Sequence, residues 1–400
     1  MTLLPVADAK SRILAGVAPT GLDQVALDAA HGRVLAQDVT ARINQPPFDA
    51  SAMDGYAVRA GDICTVPVDL TVIGDAPAGS SYDGVVGKGQ AVRIFTGAPV
   101  PEGADTIVIQ ENTVTQGAVV TVLETASSGR FVRPCGLDFK HGEVLLQKGK
   151  RLGSREVALA AAMNHPALPV HRKPVVAILP TGDELVVPGG APRPEQIISS
   201  NNYGIAAFVR QFGGEPLDLG VTGDSKQALQ HALERAAGAD ILVTLGGASV
   251  GAHDLVQQAL VDFGMTLDFW KIAMRPGKPL IFGRLGDMRV LGFPGNPVSA
   301  FVCAAVFLRP LLDVMLGRAE DETTLKAKLG VRVDANDERQ DYQRATLGRD
   351  DAGCYIATPF TKQDSSMLRT LAQAQCMVVR PPHDPSRKAG DFVEILLLDF

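Results

Sequence analysis

The residues of this chain best placed to do chemistry are acidic ones standing just after short apolar runs. Asp183 and Glu184 follow Val175–Leu179, Asp224 follows Leu217–Val221, and Asp254 follows Ile241–Leu245. Such a run between turn signals reads as a strand buried on both faces. Between Leu245 and Asp254 lies Gly246-Gly247-Ala248-Ser249-Val250-Gly251. Glycines let backbone N–H groups approach a ligand, and a helix start behind them favours an anion. Three readings of this loop stay open. It is a tight turn with Asp254 as N-cap, the G-x-S-x-G elbow of a hydrolase with Ser249 as nucleophile, or a phosphate or pterin site with Asp254 on a metal ion. The glycines do not space as the G-x-G-x-x-G of a dinucleotide fold.

Each carboxylate alone reads as a cap. Four of them at one sheet edge would repel one another unless a cation sits there, and Mg²⁺ is the usual oxygen-liganded choice. Cations are concentrated in Trp270-Lys271-Ile-Ala-Met-Arg275-Pro-Gly-Lys278-Pro279. This is no Walker loop, because Pro279 stands where Ser or Thr must ligate the metal. Phe293-Pro294-Gly295-Asn296-Pro297 opens a helix running to about Leu316, with Pro297 in its first turn and N–H groups pointing outward. Asp54 sits in the proline-held stretch Asn44–Val58, either as a positioned carboxylate or as part of an Asp-Gly turn into a strand. Thr96 reads as a turn hydroxyl, and Arg344 and Ser365-Ser366 as surface residues.

From Pro174 the pattern alternates strand and helix, with helices marked by Ile205, Phe208, Val209 and Phe212 and by Leu229, Ala232, Leu233 and Ala236. That alternation predicts a doubly wound parallel sheet with helices on both faces and ligands at the carboxyl ends of the strands. Residues 60–135, rich in Val, Thr, Ile and Gly, read as a small all-β domain. Residues 5–16 predict a helix, and Ser154 caps another through Val157–Met163. The β segment then reads as an insertion into a helical domain built from both flanks. Residues 325–400 read as short strands of a C-terminal β domain.

Four hundred residues exceed one ordinary core, and 46% hydrophobic with 20% charged residues marks a globular chain. A net charge of −6 argues against a general nucleic-acid binder. The five cysteines are scattered without C-x-x-C spacing, so neither a zinc site nor a disulfide framework is indicated. No basic segment followed by an apolar run opens the chain, and Val298–Leu308 is too short an apolar run to span a bilayer. A cytoplasmic location is expected.

Four stretches agree in order: Ser51-Ala-Met-Asp-Gly-Tyr-Ala57, Thr181-Gly-Asp-Glu-Leu185, Gly246–Gly251 with Asp254, and Pro276-Gly-Lys-Pro279 with Pro294-Gly-Asn-Pro297. With them the whole chain resembles the molybdopterin molybdenumtransferases, and is similar to the C-terminal domain of the scaffold gephyrin. The resemblance implies an α/β multidomain fold: a helical linker domain (1–40 with 138–173), an inserted β domain (41–137), a central doubly wound parallel-sheet domain binding molybdopterin (174–317) and a small C-terminal β domain (318–400). It implies a homodimer that inserts molybdate into adenylylated molybdopterin with release of AMP, assisted by Mg²⁺. The upstream adenylyltransferase and molybdoenzyme apoproteins are the implied protein partners, with no nucleic acid and no membrane.

By motif position, Asp54, Thr96, Glu184, Asp224 and Asp254 correspond to catalytic residues of that family, with Glu184, Asp224 and Asp254 toward the metal. Gly246, Gly247, Ser249, Gly251, Pro294, Asn296 and Pro297 correspond to substrate contacts. Lys271, Arg275, Lys278 and Arg344, with Ser365, correspond to the anion-binding set. Asp54 is expected to serve the partner subunit's cleft. The sequence departs at Ala248, usually Val or Thr, and at Asp364, commonly glycine. A hydrolase would need an Asp and then a His after Ser249, and only His253 and His383 follow it. A non-enzymatic scaffold would be expected to lack the cleft residues, and here they are present.

Overall fold

A computed structural model describes residues 3–247, 255–318 and 324–400. The chain divides into two compact units. The first holds residues 1–23, 32–36 and 170–400, and the second 24–31 and 37–169.

The first unit is built on a six-stranded sheet: β1 (Val175–Pro180), β2 (Glu215–Asp218), β3 (Ile241–Leu245), β4 (Thr266–Trp270), β5 (Ile281–Leu285) and β6 (Met288–Phe293), in the order β2-β1-β3-β6-β5-β4. The first four in that order are parallel, and β3 is buried along its whole length, as an apolar central strand requires. The pleat divides β1 between two cores. Val176 and Ile178 join Ile205, Phe208 and the 297–315 helix on one face. Ala177 and Leu179 join Leu229, Leu233, Val256 and Leu260 on the other.

The expected all-parallel sheet has an antiparallel edge. β5 pairs antiparallel with both β6 and β4. Only Gly286-Asp287 joins β5 to β6, and two residues are too few for a crossover, so the chain must turn back. Gly286, at φ 60°, takes the left-handed first position of that turn.

The helix that follows Asn296 runs Pro297–Cys303, continues as a π-turn at Ala304–Leu308 and resumes at Arg309–Met315. Pro310 has no N–H to donate inside this run, which accounts for the local widening. At nineteen residues it is long and apolar enough to cross a membrane, contrary to the shorter span expected, but 72% of the apolar window is buried in the protein. The N-terminal helix Val6–Leu14 buries Val6, Ala9 and Ile13 in the same core. It therefore belongs to the first unit, whereas Ser154–Ala162 belongs to the second. Amphipathic spacing marked both helices correctly but could not name the surface each covers.

The C-terminal part of this unit closes on itself. Gln340–Arg349 pairs with both Tyr355–Pro359 and Cys376–Arg380, and Thr324–Leu329 and Phe392–Leu397 complete the ring. Met274–Arg275 adds to it beside Gln340, which stitches the cation-rich segment to this small barrel.

The second unit contains a six-stranded sheet ordered Thr106–Ile109, Gly55–Val58, Gln90–Ile94, Val68–Ala76, Val119–Val122, Thr113–Gln116. Gly55 is required there, since a Cβ would fall 2.0 Å from the carbonyl oxygen of Val108. Helix Ser154–Ala162 starts at Ser154 itself, with Gly153 outside as N-cap. Glu156 reaches back to accept from Gly153 N at 2.9 Å, so the carboxylate does the capping predicted for the serine.

Candidate functional site

In the first unit a cleft of about 900 Å³ runs along the carboxyl ends of the parallel strands. The strand order sets out its contents in sequence. Asp224 follows β2, Thr181, Gly182 and Glu184 follow β1, Gly246 and Gly247 follow β3, and Pro294–Pro297 follows β6. Ser366 lines it as well.

Gly246 and Gly247 have φ of 102° and 64°, where side chains are rarely tolerated. A Cβ on Gly246 would lie 2.7 Å from the carbonyl oxygen of Thr181, and one on Gly247 2.3 Å from Val256 Cγ2. The backbone is thus pressed against β1 and the following helix. Ala248, Ser249, Gly251, His253 and Asp254 lie outside the described residues.

The carboxylates gather negative charge at one end. Asp183 Oδ1 accepts from Asp224 N at 3.1 Å. The Asp224 carboxyl is pushed above its usual range by burial first, then by the charges of Asp183 and Glu184. Lys226, two residues on, is drawn to Asp262 at 3.0 Å instead. Among the described residues no three acidic, histidine or cysteine side chains form a ready metal cage. Mg²⁺ seldom uses one: it binds through one or two carboxylates and completes its shell with water and substrate phosphate. Glu184 and Asp224 suit that mode.

At the other end, Asn296 Nδ2 donates to Ser365 Oγ at 2.9 Å, and Val298 N donates to the Ser365 carbonyl at 3.0 Å. The helix start expected to point free N–H groups outward is thus partly tied to the barrel. Asp364, the unusual carboxylate, accepts from Ser366 N and Ser366 Oγ at 2.8 and 2.6 Å. Those bonds hold its carboxyl below the usual range and turn its charge onto its own loop.

The cations divide. Arg275 is ion-paired with Asp341 at 2.7 Å and Asp337 at 3.1 Å, so its charge is met within the protein. Lys271 adopts φ 73° and lays its ammonium 3.9 Å from the centroid of Trp270. Lys278 is exposed, beside the cleft residue Pro279. Arg344, expected at the surface by residue type, is 1% exposed. Its Nε and Nη1 donate to Gln363 Oε1 and the Met367 carbonyl at 3.2 and 3.3 Å. Burial pushes its pKa down, opposed by Asp364.

In the second unit Asp54 and Thr96 meet. Asp54 Oδ1 accepts from Thr96 N at 2.7 Å and Thr96 Oγ1 at 2.8 Å. These bonds, the backbone one first, hold the carboxyl below its usual range, helped by Arg93. An exposed carboxylate fixed this way keeps its charge and its aim.

The sequence reading missed Asn201, whose Nδ2 donates to the Gly295 carbonyl at 2.7 Å. It also missed Leu185, Ile197 and Ile198 as cleft wall. Ser199-Ser200-Asn201 before an apolar-periodic run is a helix-start signal and could have drawn attention to that turn.

Three family models match the chain. The MoeA N-terminal region (domain I and II) covers residues 4–164, a probable molybdopterin binding domain covers 177–314, and the MoeA C-terminal region (domain IV) covers 326–398. Molybdopterin molybdenumtransferase of a Nostoc species is 36% identical over 384 residues, spanning 94% of this chain and 88% of the relative. The chain belongs to the molybdopterin molybdenumtransferase family. That of Haemophilus influenzae is 32% identical over 404 residues, 98% of each chain. The crystal structure of a molybdopterin biosynthesis MoeA protein from Pyrococcus horikoshii superposes with a TM-score of 0.88 at 31% identity over the whole of both chains. Membership makes the chain a transferase of molybdenum cofactor synthesis and favours neither the hydrolase nor the scaffold alternative.

Proposed function

We propose that this chain inserts molybdenum, supplied as molybdate, into adenylylated molybdopterin and releases AMP. The observation that carries the reading is the arrangement of the cleft: carboxylates at one end, a backbone-lined glycine turn in the middle, and the Asn296–Ser365 pair at the other. That order suits an elongated substrate with a phosphoanhydride at its centre.

In this reading Gly246 and Gly247 let the substrate approach the backbone. Glu184 and Asp224, with Asp254, would hold Mg²⁺, which neutralises phosphate charge when bound. Asn296, Pro294 and Pro297 shape the wall, and Ser365, Arg344, Lys271 and Lys278 supply donors and positive charge for the molybdate dianion. Arg275 supports them indirectly by holding the cation-rich segment to the barrel through Asp337 and Asp341. Ser249 and Gly251 extend the glycine turn.

The family resemblance supports a cytoplasmic homodimer in which Asp54, held by Thr96, serves the partner's cleft, fed by an adenylyltransferase and emptied by molybdoenzyme apoproteins. The direct test is to incubate the pure chain with adenylylated molybdopterin, molybdate and Mg²⁺. AMP release with metal-loaded cofactor is expected, and its absence would reject the reading. Mixing tests the shared site. Asp54→Asn and Asp254→Asn homodimers should each be nearly inactive, and random re-pairing should restore about a quarter of wild-type activity. No recovery after confirmed subunit exchange would mean that Asp54 serves its own subunit or no site.

A further inference from the structure

The barrel treats its arginines in two ways. Arg275 and Arg380 are paired with carboxylates, those of Asp341 and Asp384. Arg344, although 1% exposed, is held by neutral acceptors, Gln363 Oε1 and the Met367 carbonyl. A buried charge is costly unless it is paired. Neutral acceptors satisfy the donors of a guanidinium without cancelling its charge, which stays available to an incoming anion.

Gln363 grips this residue with both ends of its amide. Its Oε1 accepts from Arg344 N at 3.0 Å and from Arg344 Nε at 3.2 Å. Its Nε2 donates to the Arg344 carbonyl at 2.9 Å and to the Phe360 carbonyl at 2.8 Å. Backbone and guanidinium of one residue are thereby fixed together. A side chain that accepts at one end and donates at the other is needed: a carboxylate has no donor, and an ammonium no acceptor. The same turn carries the rest of the barrel's contribution. Ser365, bonded to Asn296, stands two residues after Gln363, and the carboxylate between them is turned onto Ser366.

We propose that Gln363 is a positioning residue for the molybdate-binding end, aiming the Arg344 guanidinium while leaving its positive charge unspent. The inference rests on the functional reading above and deepens it, adding a residue that acts on the anion only through another. Its neutrality then matters as much as its reach. A glutamate could still accept from Arg344 N and Nε, but it would cancel the charge that the anion needs.

Titration of the full-length chain with molybdate tests this, by calorimetry and in the AMP-release assay. Gln363→Glu removes the free charge, and the neutral Gln363→Met removes the grip. Each should raise the molybdate concentration for half-saturation about ten-fold, with pterin affinity and turnover at saturating molybdate near wild type. In an Arg344→Ala background neither should raise it further, because the grip works through that guanidinium. Unchanged half-saturation in both variants, with only the melting temperature lowered, would make Gln363 a structural amide and overturn the inference. A full additional loss in the Arg344→Ala background would overturn it too, since Gln363 would then reach the anion by another route. Arg344→Ala that leaves the molybdate dependence unmoved would remove Arg344 from the anion site, and the positioning role with it. A wild type that neither binds nor uses molybdate would instead reject the functional reading itself.

Discussion

Replacing Gly246 by alanine tests the central claim that the cleft floor is a backbone pressed against its neighbours. The new Cβ would sit 2.7 Å from the Thr181 carbonyl oxygen, an atom of the backbone with no rotamer by which to move aside. At φ 102° an alanine also carries a strain of about 1–3 kcal/mol. Relief requires separating the ends of β1 and β3. That loosens the bonds of Thr181 N to the Leu245 carbonyl (3.0 Å) and Gly246 N to the Phe293 carbonyl (3.1 Å). With each such bond contributing about 1 kcal/mol, the total comes to about 3–5 kcal/mol. For a unit of this size that lowers the melting temperature by about 6–20 °C. Gly286→Ala is the control: it too is left-handed, at φ 60°, but a Cβ there meets nothing within 4 Å. It should cost about 1 kcal/mol and leave AMP release intact. Calorimetry with the AMP-release assay reads both. A Gly246→Ala protein that melts with the control and turns over normally would refute the close-approach argument.

Thr96→Val removes the hydroxyl bond to Asp54 but keeps the backbone one, so the Asp54 pKa should rise only part of the way to its ordinary value, measured by carboxyl NMR. Because the folded pKa is depressed, the stabilisation by this contact is present above the ordinary carboxylate range and fades as pH falls through the lowered value; the variant should lose it at higher pH. Arg344→Ala should raise the molybdate concentration for half activity at least about ten-fold while pterin affinity moves less, and equal shifts would assign Arg344 to the pterin. Mg²⁺ should raise the melting temperature of wild type and raise that of Asp224→Asn much less, since binding to the folded state alone stabilises it; identical shifts would remove Asp224 from the metal site.

Features encoded locally were legible in the sequence. Strands β1 and β3 declared themselves as β-branched runs ending in turn residues, whereas β2, expected at Leu217–Val221, lies at Glu215–Asp218, a stretch without a β-branched residue; the carboxylates after β1 and β2 followed from the placement of ligand groups at strand ends in such sheets. The glycine loop was recognisable because left-handed turns and close approaches select glycine. What failed depended on partners distant in sequence. Arg275 looked like a free anion donor because Asp337 and Asp341 lie far along the chain. Arg344 looked exposed by residue type, and only the closed barrel shows why Gln363 and Met367 can accept from it in the interior. The paired strands Leu185–Val186 and Ile197–Ile198 gave too short a pattern to register as strands at all.

The N-terminal helix carries a consequence for how the chain is made. Thr20 Oγ1 donates to the Met315 carbonyl, 295 residues later, and the helix just before it packs into that same core. At about 5–20 residues per second, the ribosome releases this partner roughly 15–60 s after the helix itself. During that interval the apolar stripe of Val6, Ala9 and Ile13 has emerged without its native cover. The nascent chain therefore offers a short, early, sticky segment to chaperones, and its capture, rather than local helix formation, sets when the first unit can close. Pulse-labelled ribosome-bound chains ending before and after residue 315 should differ sharply in chaperone crosslinking at Ile13.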